Sequence, residues 1–426
     1  MERNDPRYQA YVEILKEELI PAMGCTEPIA LAYAAAKARE VLGVLPDSVQ
    51  LQVSGSIIKN VKSVIVPNTG HLKGMEAAVA AGIIAGSAEK ELEVISEVSE
   101  EKKSAIRDYL QTVPITIEHT EQGHVFDIVV TERCGQDYAR VRIADYHTNI
   151  CRIEKNGTVL YEVPLLDETV QADARADRSL LSMQDIWDFA ETADLRDVAD
   201  LLERQIRYNN AIAEEGLLGD YGANIGRVLL TTYGNDVSNR AKAKAAAGSD
   251  ARMNGCELPV IINSGSGNQG ITCSVPLIEY AKELHSGKEK LYRALIISNL
   301  VAIHEKTGIG TLSAYCGAVS AGAGAGAGIV YLCGDGYQAA IHTVVNALAI
   351  VSGIVCDGAK ASCAAKIASS VDAALLGYNM YKCNQEFKGG DGIVMKDIET
   401  TIKGIGRPGK DGMRQTNEEI IRLMMS

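Results

Sequence analysis

Aromatic anchors are scarce in this chain: its 426 residues include one Trp and three Phe. The core therefore has to be built from Ala, Val, Ile, Leu and Gly at close backbone approach. Basic charge is also in deficit. A formal charge of −13 argues against nucleic acid or an anionic membrane surface as partner, since either would want a basic face. No apolar run reaches the ~20 residues a spanning helix needs. The two most apolar stretches, Gly317–Leu332 and Ile341–Val355, are rich in Gly and Ala and read as buried core helices. The opening MERNDPRYQA is polar, unlike a secretory leader. Ten cysteines without such a leader suit a reducing cytoplasm. Also missing are C-x-x-C, H-E-x-x-H, G-x-S-x-G and P-loop patterns, which removes the usual support for zinc-ribbon, thioredoxin, metalloprotease, serine-hydrolase and nucleotidase chemistry.

The order of patterns points to an α+β protein. Residues 5–42 read as two helices broken at Pro21–Thr26, the second dominated by Ala30, Ala32, Ala34, Ala35, Ala36 and Ala38. LQVSGSIIK and VKSVIVP then look β-like, and the turn NTGHLKG leads into an alanine-rich helix, Met75–Ala85. A charged helix (Ser87–Leu110) precedes three alternating runs, VPITIEHT, HVFDIVVTE and YARVRIADYHTN, which suit an antiparallel sheet covered on one face. A hairpin through Asn156-Gly157 follows. Beyond about residue 178 nearly everything reads as helix, and charge thins out after Glu305. The expected architecture is a large all-helical bundle with a smaller α+β domain. Its boundaries are residues 1–45 (N-terminal helices packing on the helical domain), 46–165 (the α+β domain) and 166–426 (the helical domain).

Several motifs carry chemistry. Gly265, Gly267 and Gly270 form a literal G-x-G-x-x-G after the strand-like LPVIIN. Pro276 and the helical sequence beyond it do not fit a dinucleotide fold. A loop of free N–H groups with Ser264, Ser266, Asn268 and Gln269, at the start of a helix 271–284, suits a small anion such as a carboxylate. The alternative is a tight turn with its side chains satisfied. Four glycines in the Ala321–Gly328 run would cost a helix on the order of 2–4 kcal/mol together, so close approach of a neighbouring helix or a cofactor has to compensate, close packing beside Cys316 being the favoured reading.

Cys316, Cys356 and Cys363 sit in small-residue contexts (SAYCGAVS, GIVCDGAK, KASCAAK). Three thiolates could hold an iron–sulfur cube by three corners and leave the fourth iron open. On one helix Cys356 and Cys363 would stand about 10.5 Å apart along the axis, a long reach for one cluster. A helix starting near Asp357-Gly358 would leave Cys356 in the preceding loop, free to swing in. Burial as small hydrophobes is the other reading. Cys25, in PAMGCTEPIA, stands at the start of a helix whose dipole would lower its thiol pKa. The histidines form no metal constellation. Lys306 and Lys360, in apolar surroundings with glycine, read as structural or substrate-facing cations rather than Schiff-base lysines.

Long motifs in a fixed order carry a resemblance over most of the chain: GCTEP at 24–28, SGSIIKN at 54–60, VPNTGHLKG at 66–74, RMNGCELPVIINSGSGNQGI at 252–271, KTGIGTLSAYCGAVSAGAGAG at 306–326 and CDGAKASCAAKIASSVDAA at 356–374. The chain resembles the iron–sulfur-dependent L-cysteine desulfidases, relatives of the alpha part of bacterial iron–sulfur L-serine dehydratases. The resemblance implies a [4Fe–4S] cluster on Cys316, Cys356 and Cys363, with Cys25 as the catalytic residue. Substrate-facing positions would be Lys59, Asn60, Thr69, Ser264, Ser266, Asn268 and Gln269. It implies a lyase that eliminates hydrogen sulfide from L-cysteine, leaving ammonia and pyruvate. An L-serine dehydratase on the same scaffold and a non-catalytic cluster-based sensor are the alternatives. The expected partner is a small amino-acid substrate, with no nucleic acid and no membrane, and a homodimer is a common arrangement for a compact enzyme of this size. Cys134, Cys151, Cys256, Cys273, Cys333 and Cys383 match no functional position.

Overall fold

A computed structural model of the chain describes residues 1–120, 124–165, 175–310 and 313–425. The first half contains α1 (Pro6–Glu18), β1 (Pro21–Met23), α2 (Thr26–Leu42), β2 (Ser48–Val53), α3 (Gly55–Val61), α4 (Gly74–Ala85), α5 (Glu100–Thr112), β3 (Ile115–His119), β4 (Asp127–Cys134), β5 (Asp137–Ala144), β6 (Ile150–Lys155) and β7 (Thr158–Glu162). The second half contains α6 (Met183–Thr192), α7 (Ala199–Leu218), α8 (Ile225–Tyr233), α9 (Val237–Met253), β8 (Pro259–Ile261) and α10 (Gly267–Glu283). It continues with α11 (Lys288–Ile309), α12 (Gly317–Cys333), α13 (Tyr337–Val351), α14 (Ser362–Lys382), α15 (Ile398–Arg407) and α16 (Arg414–Met425). The fold is α+β, as the order of patterns predicts.

The six-stranded sheet runs in the order β3-β2-β4-β5-β6-β7. It is antiparallel except for the parallel pair β2–β3, whose connection passes through α3, α4 and α5. In β2 burial alternates, with Val49, Leu51 and Val53 turned to the core. The β6–β7 hairpin turns at Asn156 and Gly157, both left-handed as such a turn demands.

Three expectations are corrected. SGSIIK is not part of a strand: the chain leaves β2 at Ser54, whose carbonyl accepts from Ile57 and Ile58 N–H, and winds into the wholly buried helix α3. VKSVIVP forms only an isolated bridge, Ile65 to Lys73. The N-terminal helices also part company. α1 joins the helical half, where Tyr8 and Tyr11 meet Phe189 of α6 edge-on at 5.1 and 5.3 Å. α2 instead packs on α4 and on β4 and β5 of the sheet. Its alanines make this possible: a Cβ added to Gly82 of α4 would lie 2.1 Å from the Ala32 carbonyl oxygen.

The Gly-Ala run is the buried heart of the second half. α12 is enclosed by α10, α11, α13 and α14. Its glycines admit backbone contact on different sides, a Cβ on Gly322 meeting Ser370 at 2.8 Å and one on Gly324 meeting the Ser298 carbonyl at 2.4 Å. Dispersion between backbones that only glycine lets approach so closely offsets the helix cost of the glycines. No helix among the described residues is long and apolar enough to cross a membrane.

Candidate active site

Cys316 and Cys356 are brought together by a short antiparallel bridge between Tyr315 and Val355. The Cys316 N–H donates to the Ile354 carbonyl (3.1 Å) and the Cys356 N–H to that of Ala314 (2.6 Å), so both side chains leave the bridge on one face. Cys316 is the residue immediately before α12. After Cys356 the chain turns at Gly358 (φ +94), where any Cβ would strike the Lys59 carbonyl at 2.1 Å. α14 starts at Ser362, so Cys356 stays in the extended segment and Cys363 sits in the first helical turn. The Cys363 Sγ lies 3.5 Å from the Gly358 carbonyl.

Cys25 reaches the same place from the other end of the chain. It directly precedes α2, and it packs with Val64, Met253, Ala359 and Cys363 in one small apolar group. The turn that presents it is braced by the 67–70 turn, since a Cβ on Gly24 would lie 2.7 Å from the Pro67 ring. All four cysteines line a cavity of about 110 Å³ between the two halves of the molecule. Thr26, Glu27, Asn60 and His147 line it from the sheet-bearing half, and Arg252, Ser264, Gly265, Ser266, Asn268, Gln269, Lys306 and Tyr315 from the helical half.

The electrostatics correct one expectation. Cys25 stands at a helix start, but burial and the neighbouring Glu27 charge push its thiol well up, against the smaller opposing effect of Arg252. The thiol is neutral and donates to Glu27 Oε2 at 3.1 Å. Burial would raise Glu27, but His147, 3.9 Å away, and the Cys25 thiol hold its carboxyl to about 2. Asn60 Nδ2 donates to the other carboxylate oxygen at 3.0 Å. Among the C-terminal three, burial and then the charges of Cys356 and Cys363 push the Cys316 thiol up to about 12. Burial lowers Lys306 to about 8, against the pull of Cys356 and Cys316.

Among the described residues, no three His, Cys, Asp or Glu side chains converge on a single metal ion. The donor set fits a cluster better. A cube gives each thiolate its own iron, so its ligands stand apart around one centre. Three soft sulfurs around one cavity, with the cations Lys306 and Lys59 beside them, have that character.

The residues expected to face substrate divide. Asn60, Ser264, Ser266, Asn268 and Gln269 line the cavity. Lys59 sits behind it, donating to Asn417 Oδ1 (2.7 Å) and to the Cys356 carbonyl (3.3 Å). Thr69 is not among the lining residues; its hydroxyl donates to the Val66 carbonyl and closes its own turn. Lys306 lines the cavity, whereas Lys360 pairs with Asp357 at 2.5 Å. The helix expected from residue 271 begins at Gly267, which puts the whole glycine loop at its N-terminus.

Sequence reasoning missed His147, Glu27 and Arg252. His147 lies in the β5–β6 connection, stacked edge-on against Phe126 at 4.7 Å, and nothing local marks it. Glu27 stands two residues from Cys25 in the first turn of a helix, a placement that could have been weighed. Arg252 follows the buried Ala245–Ala247 run, two residues after the buried Asp250, and charge in so apolar a helix end is also a usable signal.

A mainly helical α+β fold with clustered cysteines and a serine- and glycine-rich loop in one small cavity defines a candidate enzyme of the iron–sulfur type. The chain belongs to the serine dehydratase alpha chain family, whose profile matches residues 89–422. The matched stretch holds Arg252, the glycine loop and the three C-terminal cysteines, but not Cys25. The chain is also similar to UPF0597 proteins along its length. That of Desulfitobacterium hafniense is 61% identical over 100% of this chain and 99% of its own. That of Lachnoclostridium phytofermentans is 52% identical over 98% and 100%, and that of Treponema denticola 46% over 100% of both chains.

Proposed function

We propose that the protein is an iron–sulfur lyase that eliminates hydrogen sulfide from L-cysteine, giving ammonia and pyruvate with uptake of one water. The observation that supports this most is the shared cavity of Cys25, Cys316, Cys356 and Cys363. Bound by Cys316, Cys356 and Cys363, a [4Fe–4S] cluster would supply an iron with an open position to receive the departing sulfur.

The chain's own groups do the rest. Backbone donors around Ser264–Gln269 hold the carboxylate at the N-terminus of α10. Cys25 takes the α-proton: its thiol, neutral at rest, first gives up its proton to solvent, and Glu27, hydrogen-bonded to it, orients the sulfur. The C–H electrons form the α,β double bond, the C–S bond breaks, and the sulfur leaves as hydrosulfide, which takes the α-proton from Cys25 to give hydrogen sulfide. The aminoacrylate tautomerises to an imine and hydrolyses to pyruvate and ammonia. The small cavity excludes bulk water while the charges develop.

Protein purified without oxygen should be brown, contain iron and acid-labile sulfide, and release sulfide and pyruvate in equal amounts from L-cysteine. Cys316→Ala should abolish both colour and turnover. Cluster-loaded protein that releases no product would sink the lyase reading and leave the sensor. L-Serine is the second reading, supported by the name of the family, and the ratio of kcat/KM for the two amino acids decides between them.

A further inference from the structure

We infer that Arg252 is the seat of the substrate carboxylate and makes the cavity selective for amino acids whose carboxylate is free. This rests on the reading of the cavity as an amino-acid site. Arg252 is 2% exposed, at the C-terminal end of α9, and its guanidinium lines the cavity. Nη1 donates to Asn268 Oδ1 at 3.1 Å, while Nε has no partner. Among the described residues, no carboxylate pairs with it. A buried guanidinium without an anion is costly, so the site as it stands lacks its counter-charge.

The guanidinium is also aimed. A Cβ on Gly267 would lie 2.2 Å from Arg252 Nε and 2.7 Å from Cζ, so the fork lies across the first residue of α10. The N-terminal turn of α10 adds its own donors, because its first backbone bond closes only at Gly270 N–H to the Ser266 carbonyl. Gln269, 5% exposed, has an unpartnered Oε1. Its amide lies beside Cys316, since a Cβ on Gly317 would be 2.6 Å from Gln269 Cδ. Cation, helix end and cysteine site thus follow one another along a single wall. A planar carboxylate matches the guanidinium fork. The cavity, about 110 Å³, is well below the ~300–1,000 Å³ of pockets for drug-sized ligands. That size excludes nucleotides.

The test is calorimetric titration of the anaerobically prepared protein with L-alanine, which has the carboxylate and ammonium but no leaving group, and with L-alaninamide, which lacks the carboxylate. Wild type should bind L-alanine and discriminate against the amide. Arg252→Gln should weaken L-alanine by at least ~30-fold, leave the amide unchanged and erase the discrimination. Arg252→Lys, which keeps the charge but not the fork, should fall between and guards against a folding failure. Wild-type affinity for L-alanine in both variants, or a wild type that fails to bind L-alanine or to prefer it, overturns the inference. If the elimination reading alone is wrong, the discrimination persists with no sulfide released from L-cysteine. If only the seat is wrong, Arg252→Gln releases sulfide with an unchanged KM.

Discussion

Cys25 and Glu27, two residues apart at the start of α2, share a hydrogen bond of 3.1 Å from thiol to carboxylate. The pair is fully buried, and its charge stands on the oxygen rather than the sulfur. If this carboxylate orients the Cys25 sulfur toward the α-proton, Glu27→Gln should lower kcat on L-cysteine by roughly 10²-fold while iron content stays constant. Cys25→Ala should likewise keep iron and lose turnover. Normal turnover in either variant would remove that residue from the reaction.

Iron retention should follow the cavity and not the cysteine count. Anaerobic Cys316→Ala, Cys356→Ala and Cys363→Ala proteins are each expected to fall from about four irons per chain toward none. Cys333 and Cys383 are exposed and away from the cavity, so Cys333→Ser and Cys383→Ser should match wild type by iron assay and visible absorption.

The turn between Cys356 and Cys363 has little tolerance. Gly358→Ala would put a side chain on a left-handed backbone and into the Lys59 carbonyl, a strain of about 1–3 kcal/mol. A lower melting temperature together with reduced iron content is the expected result. A variant that melts like wild type and loads fully would show that the turn can be rebuilt.

Stability should depend on pH through a group far from the cavity. Glu132 on β4 is fully buried, with neither carboxylate oxygen hydrogen-bonded, and burial raises its pKa well above the usual range, against a weaker pull from Arg39. A raised folded pKa stabilises below the unfolded pKa, and that contribution is lost as pH rises through the folded value. Glu132→Gln should therefore melt above wild type at pH 8, with a smaller difference at pH 5, in paired thermal scans.

Much of the site was legible in local sequence. GCTEP marked both the helix start and the cysteine that precedes it in the cavity, and SGSGNQG marked a loop opening a helix. Asp357-Gly358 marked the break that separates Cys356 from Cys363. Other residues were misread because local pattern carries no information about direction. SGSIIK has the apolar character of a strand, yet the chain leaves the sheet at Ser54 and coils. PNTG looked like a substrate turn, but Pro67 supports Gly24 from behind and Thr69 bonds to its own turn.

The residue order alone settled which elements form and what they are made of: small side chains that demand backbone contact, soft sulfur donors, and glycines where the chain must turn. Which of these donors share a cavity was settled by packing. His147 and Arg252 come from different halves of the molecule, and no periodicity links a sheet connection to a helix end. They meet because α2 can lie on the sheet and the glycine loop can slip beneath the guanidinium, and such contacts exist only once distant segments have closed on one another.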